Sequence, residues 1–284
     1  MDRQQYKEAL LNPSFARAIG GKIKAVFFDI DGTLVPIGQK EMGLEIYSLL
    51  EGLRRKGIKV FISSGRGRSF IRNVRDFPFD GYITMNGALL TIGEEKVFSS
   101  TIEKDSALRI VRVCQQNSLP CVAFLSDHVG INLQSDRTAF VNHLIHVGPF
   151  PLVDLEKTVQ ENDIYQFTLY MSAEEEGEYF PGGLEGTSWP RWHPAIVDVT
   201  PGGVSKGLAL EHAARYLGIS ADRTMAFGDA ANDISMLEMA GIGVAMGNPA
   251  PEVMASADYV TSKDTEGGIN AALAHFGLLQ SDLP

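Results

Sequence analysis

The tightest constraint on this chain is a short apolar run, Ala25-Val26-Phe27-Phe28, that stops abruptly at Asp29-Ile30-Asp31-Gly32-Thr33-Leu34. A continuous apolar run of this kind predicts a strand buried on both faces, as in a sheet covered by helices on either side. Successive strand residues point to opposite faces, so Asp29 and Asp31 share a face and Ile30 points away. Two carboxylates on one face at the end of a buried strand repel each other and lose hydration. Such a pair persists where a cation neutralises it or where one member holds a proton. Gly32-Thr33 then allows a sharp turn with backbone open to a ligand. An isolated D-x-D-G fits a plain Asx turn equally well. Its meaning rests on the strands that follow.

Those strands repeat the pattern. Helical spacing from Glu41 to Lys56 ends at Gly57, and Ile58-Lys59-Val60-Phe61-Ile62 predicts a second buried strand. It runs into Ser63-Ser64-Gly65-Arg66-Gly67-Arg68, which predicts the start of another helix. A hydroxyl, a glycine and free N–H groups at a helix N-terminus suit an anion. Ser64 as a simple N-cap suits the same residues. Phe70 occupies the third glycine position of a dinucleotide loop, which removes that reading of Gly65-x-Gly67. Tyr82-Ile83-Thr84-Met85 predicts a third strand, ending at the turn signal Asn86-Gly87. Further on, Val204-Ser205-Lys206-Gly207 opens a helix. The strand Thr224-Met225-Ala226-Phe227 leads into Gly228-Asp229-Ala230-Ala231-Asn232-Asp233. Strands at 241–246 and 258–260 and helices at 249–255 and 268–276 complete the series. This alternation predicts the α/β class: one doubly wound, Rossmann-like parallel sheet with helices on both faces.

The stretch between the two series has a different texture. Short strands at 89–92, 97–99, 121–125 and 130–133 surround a helix from Lys104 to Gln116. A helix from Arg137 to His146, a strand from Tyr165 to Met171, a helix near 174–180 and strands at 188–193 and 195–199 follow. The expected layout is a core of residues 22–86 and 200–284, an inserted α+β domain of 87–199, and an N-terminal extension of 1–21 carrying one amphipathic helix broken near Asn12-Pro13. His143 and His146 lack an acidic third ligand nearby and read as surface and packing residues. Trp189, Trp192 and His193 read as core of the insertion or as a wall facing a ligand, with core favoured.

Charge narrows the possible ligands. The 284 residues carry 25 Lys and Arg against 35 Asp and Glu, a net charge of -10. That balance opposes general nucleic-acid binding, so an anionic ligand needs a local positive centre. No apolar run reaches roughly 18 residues and no secretory block is present, so neither a membrane partner nor export is expected. The two cysteines, Cys114 and Cys121, read as free thiols in a reducing cytoplasm. A monomer or weak homodimer is the expected state.

In an open parallel sheet, ligands sit outside the carboxyl ends of the strands. Asp29, Asp31, Ser64, Asp229, Asn232 and Asp233 all lie just past such ends, and Lys206 starts a helix. Four carboxylates converging with one lysine call for a hard cation. All-oxygen ligands with partial hydration point to Mg²⁺. Serine, lysine and backbone N–H groups supply donors for a phosphate.

In this order the motifs resemble a haloacid dehalogenase (HAD) superfamily hydrolase of the Cof-type phosphatase group. The matching stretches are Asp29-Ile30-Asp31-Gly32-Thr33-Leu34, Ser64-Gly65-Arg66, Lys206 and Gly228-Asp229-Ala230-Ala231-Asn232-Asp233, with the lesser signatures Asn86-Gly87 and Val204-Ser205-Lys206-Gly207. The resemblance runs from residue 22 to about 276; Ser64 stands where threonine is commoner, and the first 21 residues lie outside the pattern. It implies Asp29 as nucleophile, Asp31 as general acid and base, and Lys206 as their catalytic partner. It implies a Mg²⁺ site of Asp29, Asp31 through its carbonyl, Asp229 and Asp233, the last holding a bound water or Lys206. Phosphoryl oxygens would be gripped by Ile30, Ser64, Gly65, Lys206 and Asn232. The insertion would be a type-two cap, with Asn86, Gly87, Trp192 and His193 as candidate substrate residues. The implied activity is Mg²⁺-dependent hydrolysis of small phosphomonoesters, sugar phosphates or similar metabolites, through an aspartyl phosphate. A phosphomutase or phosphotransferase and a non-catalytic phosphate-binding protein remain as alternatives.

Overall fold

The computed structural model describes residues 1–139 and 149–279. His143, His146 and most of the helix expected around them lie outside the described residues. The strands are β1 (Ala25–Phe28), β2 (Lys59–Ser63), β3 (Gly81–Thr84), β4 (Leu89–Ile92), β5 (Glu95–Ser99), β6 (Cys121–Phe124) and β7 (Val129–Ile131) in the first half of the chain. In the second half they are β8 (Gln166–Leu169), β9 (Thr187–Ser188), β10 (Arg191–His193), β11 (Ile196–Pro201), β12 (Thr224–Gly228), β13 (Ile242–Ala245) and β14 (Tyr259–Val260). The described helices are α1 (Arg3–Leu10), α2 (Pro13–Gly20), α3 (Leu44–Arg55), α4 (Lys104–Gln116) and α5 (Leu155–Glu161). They continue with α6 (Ala173–Tyr179), α7 (Lys206–Tyr216), α8 (Ile234–Met239), α9 (Pro251–Ser256) and α10 (Gly268–His275).

The first sheet runs β14-β13-β12-β1-β2-β3-β4-β5, with β1 at its centre between β12 and β2. Pairing is parallel from β14 to β3. Every residue of β1 is buried, as the unbroken apolar run requires. Alternation divides its side chains between two helical layers. Val26 and Phe28 join a core cluster with Leu49, Leu50 and Leu53 of α3 and Ile269 and Leu273 of α10. Ala25 and Phe27 join another with Ala209, Leu210 and Ala213 of α7 and Leu237 of α8. One stacked pair locks each layer: Phe28 on Phe227 at 4.9 Å, and Phe27 on Phe61 at 4.6 Å between ring centroids.

Three local expectations are corrected. β4 and β5, expected within the insertion, pair antiparallel onto β3 and extend the first sheet. Leu90 of β4 is buried with Ile83 and Leu210 on the α7 face, so burial holds the strand there and the chain leaves this sheet after Ser99 rather than at Asn86. The helix expected after Ser64 is a single 3₁₀ turn, Arg68–Phe70, followed by irregular chain. Gly65 and Gly67 weaken a helix, Arg75 and Asp76 take left-handed φ of 53° and 50°, and Ile71, Val74, Phe77 and Phe79 bury their side chains from the loop. The N-terminal extension holds two helices rather than one. Asn12 accepts hydrogen bonds from the Ser14 and Phe15 N–H groups, and Pro13 opens α2.

The second sheet, β10-β11-β8-β6-β7 with β9 on β11, is antiparallel throughout and carries its own core with α4 and α5. A separate apolar cluster joins the two sheets: Met85 and Leu89 from the first, Val122, Phe124, Tyr165, Tyr170 and Ile196 from the second. Among the described residues no helix is long and apolar enough to cross a membrane. Because Phe28 is fully buried and stacked on Phe227, Phe28→Ala is expected to lower unfolding free energy by about 3–5 kcal/mol. Chemical denaturation measures it, and a loss below about 1 kcal/mol would contradict this packing.

Candidate active site

The site grows from the end of β1. The Asp29 N–H still donates to the Phe227 carbonyl of β12 at 3.0 Å, so the sheet ladder fixes the residue just past the strand. Its side chain meets Lys206, the first residue of α7, whose Nζ donates to Asp29 Oδ1 at 2.6 Å and to Asp233 Oδ1 at 2.6 Å. Ser205 caps that helix by accepting from the Leu208 N–H at 3.1 Å, which sets where Lys206 starts. The other Asp233 oxygen accepts from the Asp229 and Ala230 N–H groups, both at 3.0 Å. One carboxylate thus folds the loop after β12 and docks the lysine. Gly228 allows this, since a Cβ there would fall 2.5 Å from Asp233 Cβ.

Asp229 points into the same space and accepts from Thr33 Oγ1 at 3.3 Å. Carboxylate oxygens of Asp29, Asp229 and Asp233 all lie within 4.8 Å of one another. Burial foremost drives the Asp29 carboxyl well above its ordinary range; Lys206 opposes the shift, and the charges of Asp233, Asp229 and Asp31 add to it. Burial and Asp233 push Asp229 up to about 7. Burial works against the Lys206 ammonium, but the charges of Asp233 and Asp29, with its hydrogen bonds to both, hold it above the usual lysine range. One cation among three carboxylates leaves a net negative pocket. The donors are all hard oxygens, which suits a divalent ion such as Mg²⁺. A cleft of 320 Å³ lined by Gly32, Ile37, Asp229, Asn248 and Lys263 opens beside them.

The remaining sequence candidates fall around this cluster. Asp31 does not join it: its exposed carboxylate is gripped by Arg66, Nε to Oδ2 at 2.8 Å and Nη2 to Oδ1 at 2.8 Å. Ser64 Oγ accepts from the Arg66 N–H at 3.1 Å, which tightens the loop carrying Gly65. The Ile30 side chain is fully buried, so any hold on a ligand rests on its backbone. Asn232 Nδ2 donates to Asn86 Oδ1 at 3.0 Å, and Asn86 Nδ2 to Gln166 Oε1 of β8 at 3.3 Å. Gly87 lies against α7, where a Cβ would fall 2.2 Å from the Ser205 carbonyl oxygen. Trp192 and His193 sit on β10, at the edge of the second sheet.

Two residues escaped the sequence reading. Arg66 was visible only as part of Ser64-Gly65-Arg66, and nothing in spacing tied it to Asp31. Asp198 is buried in β11, where Thr168 Oγ1 of the paired strand donates to its Oδ1 at 2.6 Å. Burial raises its carboxyl to about 6, against the Thr168 hydroxyl. Its signal was an acidic residue interrupting the apolar strand Ile196-Val197-Asp198-Val199.

A family profile of haloacid dehalogenase-like hydrolases matches residues 26–273. This chain belongs to that family. The HAD subclass IIB sugar phosphatase BT4131 is similar in structure, with a TM-score of 0.81 and 36% identity over 90% of this chain and 100% of that one. BT1666 from Bacteroides thetaiotaomicron, a phosphatase of the same superfamily, matches at a TM-score of 0.81 and 31% identity over 90% and 96%. Phosphatase YwpJ of Bacillus subtilis (strain 168) is 26% identical over 89% of this chain and 99% of its own length. The protein is therefore a HAD-type hydrolase with a Rossmann-like core, of the phosphatase and phosphotransferase kind.

A carboxyl with a raised folded-state pKa binds its proton more tightly in the folded chain, so its strain is present above that pKa and relieved as pH falls toward the ordinary value. With Asp229 near about 7 and Asp29 raised, this HAD hydrolase, stripped of divalent ions, is expected to melt several degrees higher at about pH 6 than at about pH 8. A divalent ion should raise the melting point most at the higher pH. Scanning calorimetry with and without EDTA measures both; a melting point that rises with pH in EDTA would contradict the cluster's electrostatics.

Proposed function

We propose that this HAD hydrolase removes phosphate from small phosphomonoesters, sugar phosphates foremost, through an aspartyl phosphate on Asp29. The observation that carries the reading is the cluster of Asp29, Asp233 and half-buried Asp229, the first two paired with one fully buried lysine. Asp29, Asp229 and Asp233 would hold Mg²⁺. When bound, the ion offsets charge on the phosphoryl oxygens and on the carboxylates.

The chain's own residues account for the rest. Lys206 pins one oxygen of Asp29, leaving the other to attack phosphorus. Lys206, Asn232, the Ser64 hydroxyl and the amides near Gly65 supply donors for the oxygens of the transferring group. Asp31 stands at the mouth, where it would protonate the leaving oxygen and then deprotonate the attacking water. Both of its oxygens now accept from Arg66, so that work requires Arg66 to let go. An arriving phosphoryl group competes for the same planar guanidinium. The exchange would couple substrate arrival to release of the acid–base group. The second sheet serves as the cap, closing over the strand ends and excluding water.

Phosphate release from p-nitrophenyl phosphate with Mg²⁺ tests the reading. Asp29→Asn is expected to cost at least about a thousandfold in kcat, and EDTA to abolish turnover. Activity surviving either change sinks the mechanism. Arg66→Ala is expected to raise KM by roughly tenfold and to depress kcat, since it removes a phosphoryl donor and frees Asp31 from its partner. An unchanged KM would remove Arg66 from the substrate site.

A further inference from the structure

We infer that Gln166, the first residue of β8 in the second sheet, is a positioning residue for the phosphoryl pocket of the first: it aims the side-chain amide of Asn86, and through that amide it sets Asn232. The use of the pocket for phosphate rests on the phosphatase reading above. The coupling rests on the hydrogen bonds that cross the seam.

Strand alternation leaves Gln166 where packing does not ask for an amide. Phe167 and Leu169 of β8 join the core cluster with α4 and α5, so Gln166 and Thr168 take the opposite face. Their register partners on β6, Phe124 and Val122, belong to the apolar seam with Met85 and Leu89. An amide buried on such a face costs free energy unless its polar atoms are bonded, a cost that an apolar side chain of equal size avoids. Gln166 is 2% exposed, and its Oε1 accepts from Asn86 Nδ2 at 3.3 Å. The one residue it serves belongs to the other sheet.

Asn86 stands among the groups that would grip a phosphoryl oxygen. Its Oδ1 accepts from Asn232 Nδ2 at 3.0 Å. Its backbone N–H donates to the Ser64 carbonyl, and the Met85 N–H to the Arg66 carbonyl, both at 3.1 Å. The amide lies over Gly65, where an added Cβ would fall 3.0 Å from Asn86 Oδ1. Gly87 abuts Ser205, one residue before Lys206. With a donor to its oxygen and an acceptor for its NH₂ group, the Asn86 amide has a single satisfied orientation. An apolar residue in place of Gln166 removes the acceptor. The amide is then free to turn, and Asn232 loses its fixed partner.

A neighbouring contact supplies a control. Lys96 Nζ of β5 donates to the Tyr165 hydroxyl at 2.9 Å, which also joins the two sheets, but its side chain meets Tyr165 rather than the Asn86 turn.

A double-mutant cycle on the Mg²⁺-loaded full chain tests this, reading inorganic phosphate affinity by calorimetry and kcat/KM on p-nitrophenyl phosphate. Gln166→Leu should weaken phosphate binding by about tenfold, and Gln166→Glu, which keeps an acceptor oxygen in place, by less. Asn86→Ala should weaken binding similarly to Gln166→Leu. In the Asn86→Ala background, Gln166→Leu should add less than about twofold, because its route into the pocket is gone. Lys96→Met, which loosens the seam without touching the Asn86 amide, should leave phosphate affinity within about twofold of wild type. Thermal unfolding checks each variant. If Gln166→Leu does not fold, Gln166→Met, unbranched and without an acceptor oxygen, takes its place in the cycle. Full additivity, unchanged affinity in Gln166→Leu, equal losses in Gln166→Leu and Gln166→Glu, a matching loss in Lys96→Met, or a wild-type chain that binds no phosphate overturns the inference. Coupled phosphate binding without turnover would instead overturn the phosphatase reading and leave the positioning role standing.

Discussion

A single ammonium shared between Asp29 and Asp233 is the contact from which the site is built. Lys206 Nζ lies 2.6 Å from an oxygen of each, with no exposed surface on its side chain. Burying three charges is affordable only where each is paired and hydrogen-bonded. Asp233 meets that condition by also taking two backbone N–H groups of its own loop. Asp29 meets it only partly, and Asp229 contributes a further negative charge that no lysine balances. The cluster is therefore paired at its centre and leaves carboxylate oxygens that could hold a divalent ion.

Secondary structure makes this possible through the ends of elements rather than their interiors. Asp29 sits one residue past β1, Asp229 one past β12, and Lys206 opens α7. The ladder of β1 between β2 and β12 fixes the first two, while Ser205 fixes the third. Apolar packing of Phe27 on Phe61 and Phe28 on Phe227 holds the strands that carry them. Sheet ladder and charge cluster therefore meet at the same strand ends.

How much of this was legible in the sequence follows from which interactions are local. Runs such as Ala25–Phe28 and Thr224–Phe227 carry a strand's burial in their own composition, and a helix start such as Ser205-Lys206 carries its cap, so the parallel core and the meeting of Asp29, Asp229, Asp233 and Lys206 could be anticipated. Sheet membership of β4 and β5 could not, because a short antiparallel strand looks alike in either sheet and only the pairing onto β3, with Leu90 buried in the cluster that holds Leu210, decides. The Asp31–Arg66 pair spans 35 residues and depends on side-chain reach. Asp198 was hidden by its surroundings: strand alternation says which face a residue takes, but not that the Thr168 hydroxyl of the paired strand stands opposite to receive it.

The loop carrying Arg66 failed to become a helix, and that failure has a use. From the 3₁₀ turn at Arg68–Phe70 onward to Phe79 the backbone is anchored by buried side chains rather than by a repeating hydrogen-bond ladder. A guanidinium mounted at the head of a regular helix would be constrained in aim by the helix axis. Mounted here, Arg66 is aimed by local hydrogen bonds, its N–H donating to Ser64 Oγ and its carbonyl accepting from the Met85 N–H. A fully buried lysine and a partly exposed arginine thus pair with the two aspartates, Asp29 and Asp31, that flank Ile30.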